Sequence, residues 1–353
     1  FTSPYRGNHQ AVLSAVDGAD LTVRALTLSG EARGRKPAPS PYGNNRFTGI
    51  GAKDSTLTVD DVHVVDVRDP YASTNPDQLN GVQSGFGIFA YSDGSTRIPV
   101  VVRDSRVSFF QKAGVIVEGT ALAGTVERNE VQCFGPTSGI AQNGIQFEDG
   151  AIGSITDNTV SGCAYTGTLD ASSTAMLLFE VDGPLAVSGN SIESSDNGVY
   201  VSVWPTAADP TFSFAGNTFQ GNGTGIWNDT GEPLTLGAGN VFTANGEALD
   251  GEFDGDLPSG DRYVEPDGDD AGNHCTDPGS PCETVGHAVD VANGGDTINL
   301  ADGTYAESEI QVGKPVAIVG ASRAGTVVGP SSGPVVAKDT FVLGDGADGA
   351  SFA

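Results

Sequence analysis

Three glutamates, Glu118, Glu148 and Glu180, follow short apolar segments of the chain at intervals of 30 and 32 residues. Carboxylates that lie close together can serve as the acid and base of glycoside cleavage, bind Ca²⁺, or accept hydrogen bonds from sugar hydroxyls. Like charges about 5 Å apart also repel each other, which raises their pKa values or requires a cation. The spacing therefore predicts a row of carboxylates, with catalysis, Ca²⁺ binding and sugar contact as alternative roles.

Aromatic residues accompany these carboxylates. In a Gly-led strand, the first and third residues after the glycine point to the core, so the second and fourth point outward. Two outward columns follow, Phe89, Ile116, Gln146, Leu178, Tyr200 and Trp227, and then Tyr91, Glu118, Glu148, Glu180, Ser202 and Asp229. Because a polysaccharide groove combines rings with carboxylates, the candidate carbohydrate-binding residues are Tyr91, Tyr200, Trp227 and Asp229.

The acidic composition offers a simpler interpretation of the same carboxylates. Asp and Glu number 45 against 17 Lys and Arg, which gives a formal net charge of -28. Solvated acids at turn edges are expected in such a chain, and loops can cover outward apolar positions. The charge also argues against nucleic acid and anionic membranes as partners. No run approaches the ~18 uninterrupted apolar residues of a membrane span.

The elements that must position these residues recur along the chain. An apolar residue, two variable positions, Asn, one variable position and another apolar residue repeat between residues 11 and 245, although the earlier copies lack the Asn. Short Gly-led strands, as at 114–117 and 198–201, alternate with this motif. Strands separated by Gly, Asn and Asp turns, without intervening helices, cannot form βαβ units but can form a parallel β-solenoid.

A solenoid also accounts for the composition. Each rung, meaning one full turn of the solenoid, buries its apolar residues against the rungs above and below, so the core is a narrow column. Gly 50 and a hydrophobic share of 38% in 353 residues fit such a column and its turns. The sequence therefore predicts an all-β fold with about eight rungs.

Over nearly its whole length the chain resembles the right-handed parallel β-helix repeat proteins of the pectin-lyase-like superfamily. In that family an inward Asn recurs at one turn of successive rungs and forms a ladder of side-chain amides. The resemblance implies this structural role for Asn129, Asn158, Asn190, Asn217 and Asn240. An amide has both donors and acceptors, so it can satisfy the backbone groups of a buried turn.

The same resemblance raises the question of enzymatic activity. A family lyase needs an Arg or Lys base beside Ca²⁺-binding acids, and Arg103, Asp104 and Arg106 supply the residue types without matching a lyase signature. The paired-Asp and Gly-His-Gly patterns of the family's pectin hydrolases are absent from the sequence. These absences weigh against an enzyme.

The four cysteines fall into two predicted disulfide pairs, which indicates an oxidising compartment. Cys133 and Cys163 follow their Asn residues by four and five positions in consecutive rungs, so they come within disulfide range. Cys275 and Cys282 would close a small loop. A zinc site that combines these two cysteines with His274 and His287 is the alternative, although the spacing matches no standard finger.

Three segments are predicted: a β-helix body at 1–247, an acidic solvated linker at 248–277, and a cap helix with the first rungs of a further β-helix at 278–353. Asp267, Asp269 and Asp270 in the linker are weak candidates for a Ca²⁺ loop. Val285, Ala288 and Val289 have helical spacing, as in a helix that covers the open end of a solenoid. The chain begins within a rung, which suggests a piece of a tandem protein or end-to-end self-association.

These observations favour an extracellular structural or adhesive surface protein that contacts carbohydrate through its outward strand face. A polysaccharide lyase or glycoside hydrolase acting through the three glutamates is the first alternative. A subunit of a head-to-tail surface filament is the second alternative. Asn222 and Asn228 each begin an Asn-X-Thr sequon, which is weak support for glycosylation.

Overall fold

The computed structural model describes residues 2–3, 7–30, 45–68, 79, 81–181, 183–202, 211–255, 257–258, 260–330 and 339–353. The chain divides into two compact units. The first comprises Phe1–Gly231 and Gly237–Gly246, and the second comprises Glu232–Leu236 and Glu247–Ala353. Strands dominate the described part of both units.

The strands up to residue 243 are short and closely spaced. In chain order they are β1 (Thr2–Ser3), β2 (Gly7–Val16), β3 (Asp20–Ser29), β4 (Asn45–Lys53), β5 (Thr56–Val65), β6 (Phe86–Tyr91), β7 (Ile98–Arg103), β8 (Arg106–Ser108), β9 (Ala113–Glu118), β10 (Leu122–Glu127), β11 (Glu130–Gln132), β12 (Asn143–Glu148), β13 (Ile152–Thr156), β14 (Thr159–Ser161), β15 (Thr174–Phe179), β16 (Leu185–Ser188), β17 (Ser191–Glu193), β18 (Asn197–Ser202), β19 (Phe212–Ala215), β20 (Thr218–Gln220), β21 (Thr224–Asp229), β22 (Leu234–Leu236) and β23 (Val241–Thr243). All except β22 belong to the first unit.

The strands of the first unit form three parallel faces, and from β6 to β20 each rung contributes one strand to each face. The first sheet runs β2, β4, β6, β9, β12, β15, β18, β21, with β1 antiparallel to β2. The second face runs β3, β5, β7, β10, β13, β16, β19, and the third runs β8, β11, β14, β17, β20, β23. The second and third faces join at β5, which pairs with both β7 and β8. In the described part of this unit the first sheet has eight parallel strands, which agrees with the predicted eight rungs.

Inward side chains of successive rungs pair in register and make the core. One column of the first sheet is Ile50, Ile88, Val115, Ile145, Met176, Val199 and Ile226, all 0% exposed. Steric crowding explains why a glycine precedes the column residue in most of these strands. A Cβ on Gly114 would lie 2.6 Å from the carbonyl oxygen of Gly144 and 2.7 Å from Cγ1 of Val131, too close for either contact.

The predicted asparagines lie at the turn between the second and third faces and point inward. The Nδ2 of each donates to the Oδ1 of the Asn in the next rung, at 2.9 to 3.0 Å, in the order Asn129, Asn158, Asn190, Asn217 and Asn240. Each also donates to a backbone carbonyl, as Asn158 does to Val126 at 2.9 Å. The row therefore satisfies buried backbone groups of the turn.

A second polar row lies at the turn after the third face, and the sequence reasoning missed it. Asn222 Nδ2 donates to Asn245 Oδ1 at 3.0 Å, and the backbone N of Ser195 donates to Asn222 Oδ1 at 3.0 Å. The sequence could have predicted this second row, because each of these residues lies five positions after an Asn of the first row. Asn222 and Asn228 are 3% and 5% exposed, so neither sequon is accessible to glycosylation in the folded chain.

Both predicted cysteine pairs are disulfides. Cys133–Cys163 joins consecutive rungs of the first unit with Cα atoms 5.0 Å apart. Cys275–Cys282 closes a loop of the second unit with Cα atoms 5.1 Å apart. No free cysteine remains in the chain.

The second unit combines the helix with a further set of parallel strands. The strands are β24 (Glu247–Asp250), β25 (Phe253–Gly255), β26 (Asp261–Val264), β27 (Thr297–Leu300), β28 (Gly303–Ala306), β29 (Ile310–Val312), β30 (Ala317–Gly320), β31 (Thr326–Gly329), β32 (Phe341–Leu343) and β33 (Ser351–Phe352). Three sheets arise, β26-β27-β30-β33, β28-β31 and β29-β32. The helix α1 (Val285–Val291) buries Val285, Ala288 and Val289, as the spacing predicted.

The stretch 248–277 is not a solvated linker throughout, which corrects the prediction. It contains β25 and β26, and Val264 is 1% exposed. Arg262 is 0% exposed and its guanidinium donates to Asp296 Oδ2 at 2.8 Å. The large number of acidic residues in this stretch had indicated a linker. A buried arginine with an ion-pair partner, however, belongs to a core.

Candidate functional site

The outward face of the first sheet carries the predicted functional residues, and its register corrects one column. Leu177 lies between Gln146 and Tyr200 in the first outward column. Leu178, predicted there, is 0% exposed in the core. In this rung Ala175 takes the position that a glycine holds in the other rungs. The prediction took Met176 for that position, and an error of one residue exchanges the inward and outward side chains of a strand.

The same shift removes Glu180 from the second outward column. Phe179 lies between Glu148 and Ser202, whereas Glu180 follows the end of β15 with φ 52°. Only Glu118 and Glu148 are therefore direct partners on adjacent strands. The predicted row of three carboxylates is a pair.

This pair lies in a covered part of the face. Glu118 is 0% exposed and Glu148 is 5% exposed. Phe89, Tyr91 and Ile116 of the neighbouring positions are buried too, and they belong to one hydrophobic cluster with Phe86 and Ala113. A polymeric substrate cannot reach a fully buried carboxylate, so this arrangement gives the pair no catalytic access.

Hydrogen bonds along β12 give Glu148 a structural partner. Asn143 Nδ2 donates to Gln146 Oε1 at 2.9 Å, and Gln146 Nε2 donates to Glu148 Oε2 at 2.5 Å. All three side chains are buried. This chain of contacts satisfies polar groups that would otherwise be costly to bury.

The face becomes accessible from β15 onward. There, the outward residues are Leu177, Phe179, Tyr200, Ser202, Trp227 and Asp229, which together are called the aromatic ledge below. Five of them are half-buried and Asp229 is exposed. The rings of Tyr200 and Trp227 stack with centroids 4.5 Å apart and planes at 29°. Half-buried rings on adjacent rungs form a firm apolar surface open to a ligand.

Asp229 is tied to this pair. The hydroxyl of Tyr200 donates to Asp229 Oδ2 at 2.7 Å. Burial, together with the hydrogen bond to Asp229, raises the pKa of Tyr200 above its usual value. The phenol therefore stays protonated and holds the carboxylate beside the rings. Oδ1 of Asp229 has no hydrogen-bond partner among the described residues, so it can accept from a ligand.

The weak Ca²⁺ candidates serve as turn residues. Asp270 Oδ1 accepts from the backbone N of Glu283 at 2.7 Å, and its Oδ2 accepts from Thr284 Oγ1 at 2.6 Å. Asp269 Oδ1 accepts from the N of Ala271 at 3.0 Å. Asp267 is exposed. In the described ranges, the three do not make a group of converging ligand atoms.

One such group exists elsewhere in the described residues, and it corresponds to three of the four residues of the zinc alternative. Ligand atoms of Cys275, Cys282 and His287 lie within 4.8 Å of one another. Both sulfurs belong to the disulfide, however, and a metal ligand must be a thiolate. His287 Nε2 contacts the carbonyl of Asn273 at 2.6 Å. The cluster is therefore a stapled loop in the oxidised protein.

A broad groove of about 780 Å³ lies near the turn after the second face. Arg128 pairs with Asp104 through two hydrogen bonds of 2.8 and 2.9 Å, and Arg106 lies 3.3 Å from Glu130. The bond from Arg128 lowers the pKa of Asp104. Since these charges neutralise each other, the groove offers a ligand no unpaired charge from these four residues.

The distribution of charge along the chain is a further property that the sequence reasoning missed. Of the 17 Lys and Arg residues, 13 lie in residues 1–128, where they equal the 13 Asp and Glu. Residues 129–261 contain 18 Asp and Glu and no Lys, Arg or His. The aromatic ledge lies within this second range. Its surroundings are therefore acidic without any compensating cation from the same range.

Fold and ledge together define a parallel β-solenoid with one exposed aromatic face. A family model described as right handed beta helix region matches residues 48–248, more than half of the 353-residue chain. The chain therefore belongs to the right-handed β-helix family, which confirms the predicted fold. No curated protein and no solved structure matches the chain. Among the described residues, no helix is long and apolar enough to cross a membrane.

Proposed function

We propose that this β-helix is an extracellular structural or adhesive protein that binds carbohydrate at the aromatic ledge. The observation that carries the proposal is the stacked pair of Tyr200 and Trp227 with Asp229 hydrogen-bonded beside it. Sugar rings present apolar C–H faces that pack on aromatic surfaces, while their hydroxyls require acceptors and donors at the edge. Two disulfides fit secretion to an oxidising compartment.

The repetition of the solenoid supports an adhesive role over a catalytic one. Adjacent strands are about 4.8 Å apart, so ledge residues on β15, β18 and β21 repeat along the axis. A polymer with repeating units can contact several rungs at once, and several weak contacts then add to useful avidity. The accessible part of the first sheet offers groups that can contact a ligand, whereas the carboxylates Glu118 and Glu148 are buried in its covered part.

The test is binding to a panel of immobilised polysaccharides by the natural chain and by Trp227→Ala. Loss of one aromatic contact should weaken retention by about tenfold or more, because a stacking ring contributes roughly 1.5 kcal/mol or more including its buried area. Phe109→Ala is the matched control, since Phe109 is 51% exposed and directly follows β8, a strand of the third face.

The outcomes separate clearly. Retention that falls in Trp227→Ala and persists in Phe109→Ala supports the ledge. Equal retention by all three chains places the contact elsewhere on the molecule and removes the ledge from the proposal. A natural chain that is retained by none of the polysaccharides contradicts carbohydrate binding itself.

A further inference from the structure

The electrostatic surroundings of the ledge bear on which carbohydrate it would take. The range 129–261 supplies no Lys, Arg or His at all. The potential at the ledge is therefore negative, and low ionic strength extends its reach.

We propose that the aromatic ledge selects glycans that carry protonated amino groups, such as polymers of glucosamine, over neutral and uronic-acid glycans. This selectivity rests on the proposed function, because it concerns the same site. It goes beyond that function by naming the charge of the ligand.

The ledge has the two groups that recognise an ammonium. An ammonium attracted to the face of Trp227 or Tyr200 gains from the ring quadrupole. Asp229, whose Oδ1 has no partner in the described part of the chain, can accept a charge-assisted hydrogen bond from the same group. A neutral acetamide loses both of these charge-dependent gains, and a uronate carboxylate would be repelled by Asp229.

Further carboxylates follow the ends of neighbouring strands of the first sheet. Asp149 and Glu180 come directly after β12 and β15. Their backbone nitrogens donate to the carbonyls of Phe179 and Ser202, at 3.2 and 2.9 Å, so these turns stack rung on rung. Asp229 ends β21, one rung beyond Ser202. An extended amino-sugar chain along the accessible part of the sheet would therefore pass Glu180 as well as Asp229.

The experiment compares matched hexamers at a pH of about 5.5, where sugar amines are protonated and ordinary Asp and Glu side chains, with pKa values of about 4, are ionised. The probes are the β-1,4-linked hexamers of glucosamine and of N-acetylglucosamine, the hexamer of galacturonic acid, and hexalysine. Affinity is measured by calorimetry at low and high salt for the natural chain, Asp229→Asn and Trp227→Ala.

We expect the glucosamine hexamer to bind about tenfold more tightly than its acetylated counterpart, because a charge-assisted contact contributes about this factor. Added salt should shrink this difference. Asp229→Asn should weaken binding of the glucosamine hexamer more than binding of the acetylated hexamer and so reduce the preference, whereas Trp227→Ala should weaken both to a similar degree.

Three results would overturn the selectivity, each in a recognisable way. Equal affinity for the amino, acetylated and uronic hexamers refutes charge selection but leaves carbohydrate binding standing. Binding of none of the sugars refutes both. Hexalysine that binds as tightly as the glucosamine hexamer, with no effect of Trp227→Ala, shows general attraction of basic peptides in place of a sugar site.

Discussion

At the residue scale, the direction in which a side chain points decides whether a polar group is structural or available. Asn158 points inward, is 1% exposed and uses its whole amide within the solenoid. Asp229 points outward and is exposed, and among the described residues only its Oδ2 accepts a hydrogen bond. Glu118 has the right residue type for chemistry, but its burial removes it from contact with substrate. Residue type alone does not separate these cases.

Replacing Asn158 by Ala should destabilise the first unit. Its Oδ1 accepts from both nitrogens of Asn129, and its Nδ2 donates to Asn190 and to Val126. Leaving these buried groups unsatisfied should lower the free energy of unfolding by about 3 kcal/mol, measured by urea denaturation. Thr159→Ala, at an exposed neighbouring position, is the control. The ladder has no stabilising role if both variants unfold at the same midpoint.

His274 should make the second unit sensitive to acid. Burial lowers the pKa of this imidazole, which is 6% exposed and packs against the ring of Phe253. A lowered pKa means that the folded chain favours the neutral form. Stability is therefore complete above the ordinary pKa of about 6.5, and it is lost by up to about 1.4 kcal/mol per pH unit as the pH falls below it.

The measurement compares the natural chain with His274→Gln by urea denaturation at pH values of about 7 and 5. The natural chain should lose more stability than the variant over this interval, because only its imidazole must become protonated. The many carboxylates titrate in both chains, so their contribution cancels in the comparison. An identical change in both chains would exclude a role for His274.

At the element scale, the strands could be predicted from the sequence because their spacing repeats. Gly-led strands, the Asn motif and the cysteine positions all gave the correct faces for most rungs. The error at Leu178 and Glu180 came from one rung in which Ala175 replaces glycine, since a shift of one residue inverts a strand. Burial of Glu118 could not be predicted, because cover on an outward face depends on segments distant in sequence.

The acidic stretch before the helix gives a prediction about α1. Asp270 accepts from the backbone nitrogens of Glu283 and Thr284, just before the helix begins. Asp270→Ala should therefore lower the free energy of unfolding by about 1 to 2 kcal/mol. The exposed Asp267 is the matched control, and Asp267→Ala should unfold like the natural chain.

Calcium should leave these midpoints unchanged, because Asp267, Asp269 and Asp270 do not converge on a common point. Denaturation in calcium chloride and in EDTA tests this expectation. Stabilisation by calcium that disappears in both Asp267→Ala and Asp270→Ala would restore the Ca²⁺ loop that the sequence suggested.

At the scale of the whole molecule, charge is divided unevenly. Residues 1–128 carry as many basic as acidic residues, whereas the rest of the chain carries the full net charge of -28. A composition summary hides this division, although the sequence contains it. Repulsion among unpaired carboxylates destabilises a compact state and repels anionic partners, while it attracts cationic ones. The uneven charge therefore bears on both stability and ligand choice.

Salt should stabilise the chain for this reason. Screening shortens the reach of carboxylate repulsion, with a Debye length of about 10 Å at 0.1 M and about 3 Å at 1 M. The urea midpoint should therefore rise with added sodium chloride. Potassium chloride should have the same effect, since screening does not depend on the cation. A midpoint that falls with salt would show that attractive ion pairs dominate.

The central claim is that carbohydrate contacts Trp227, and the fluorescence of this ring tests it most directly. The chain has two tryptophans, and the other, Trp204, lies outside the described residues. In a Trp204→Phe variant, emission therefore reports on Trp227 alone. Titration with a retained glycan should change this emission and saturate at the affinity measured by calorimetry. A glycan that binds by calorimetry while the emission stays constant would contradict the claim.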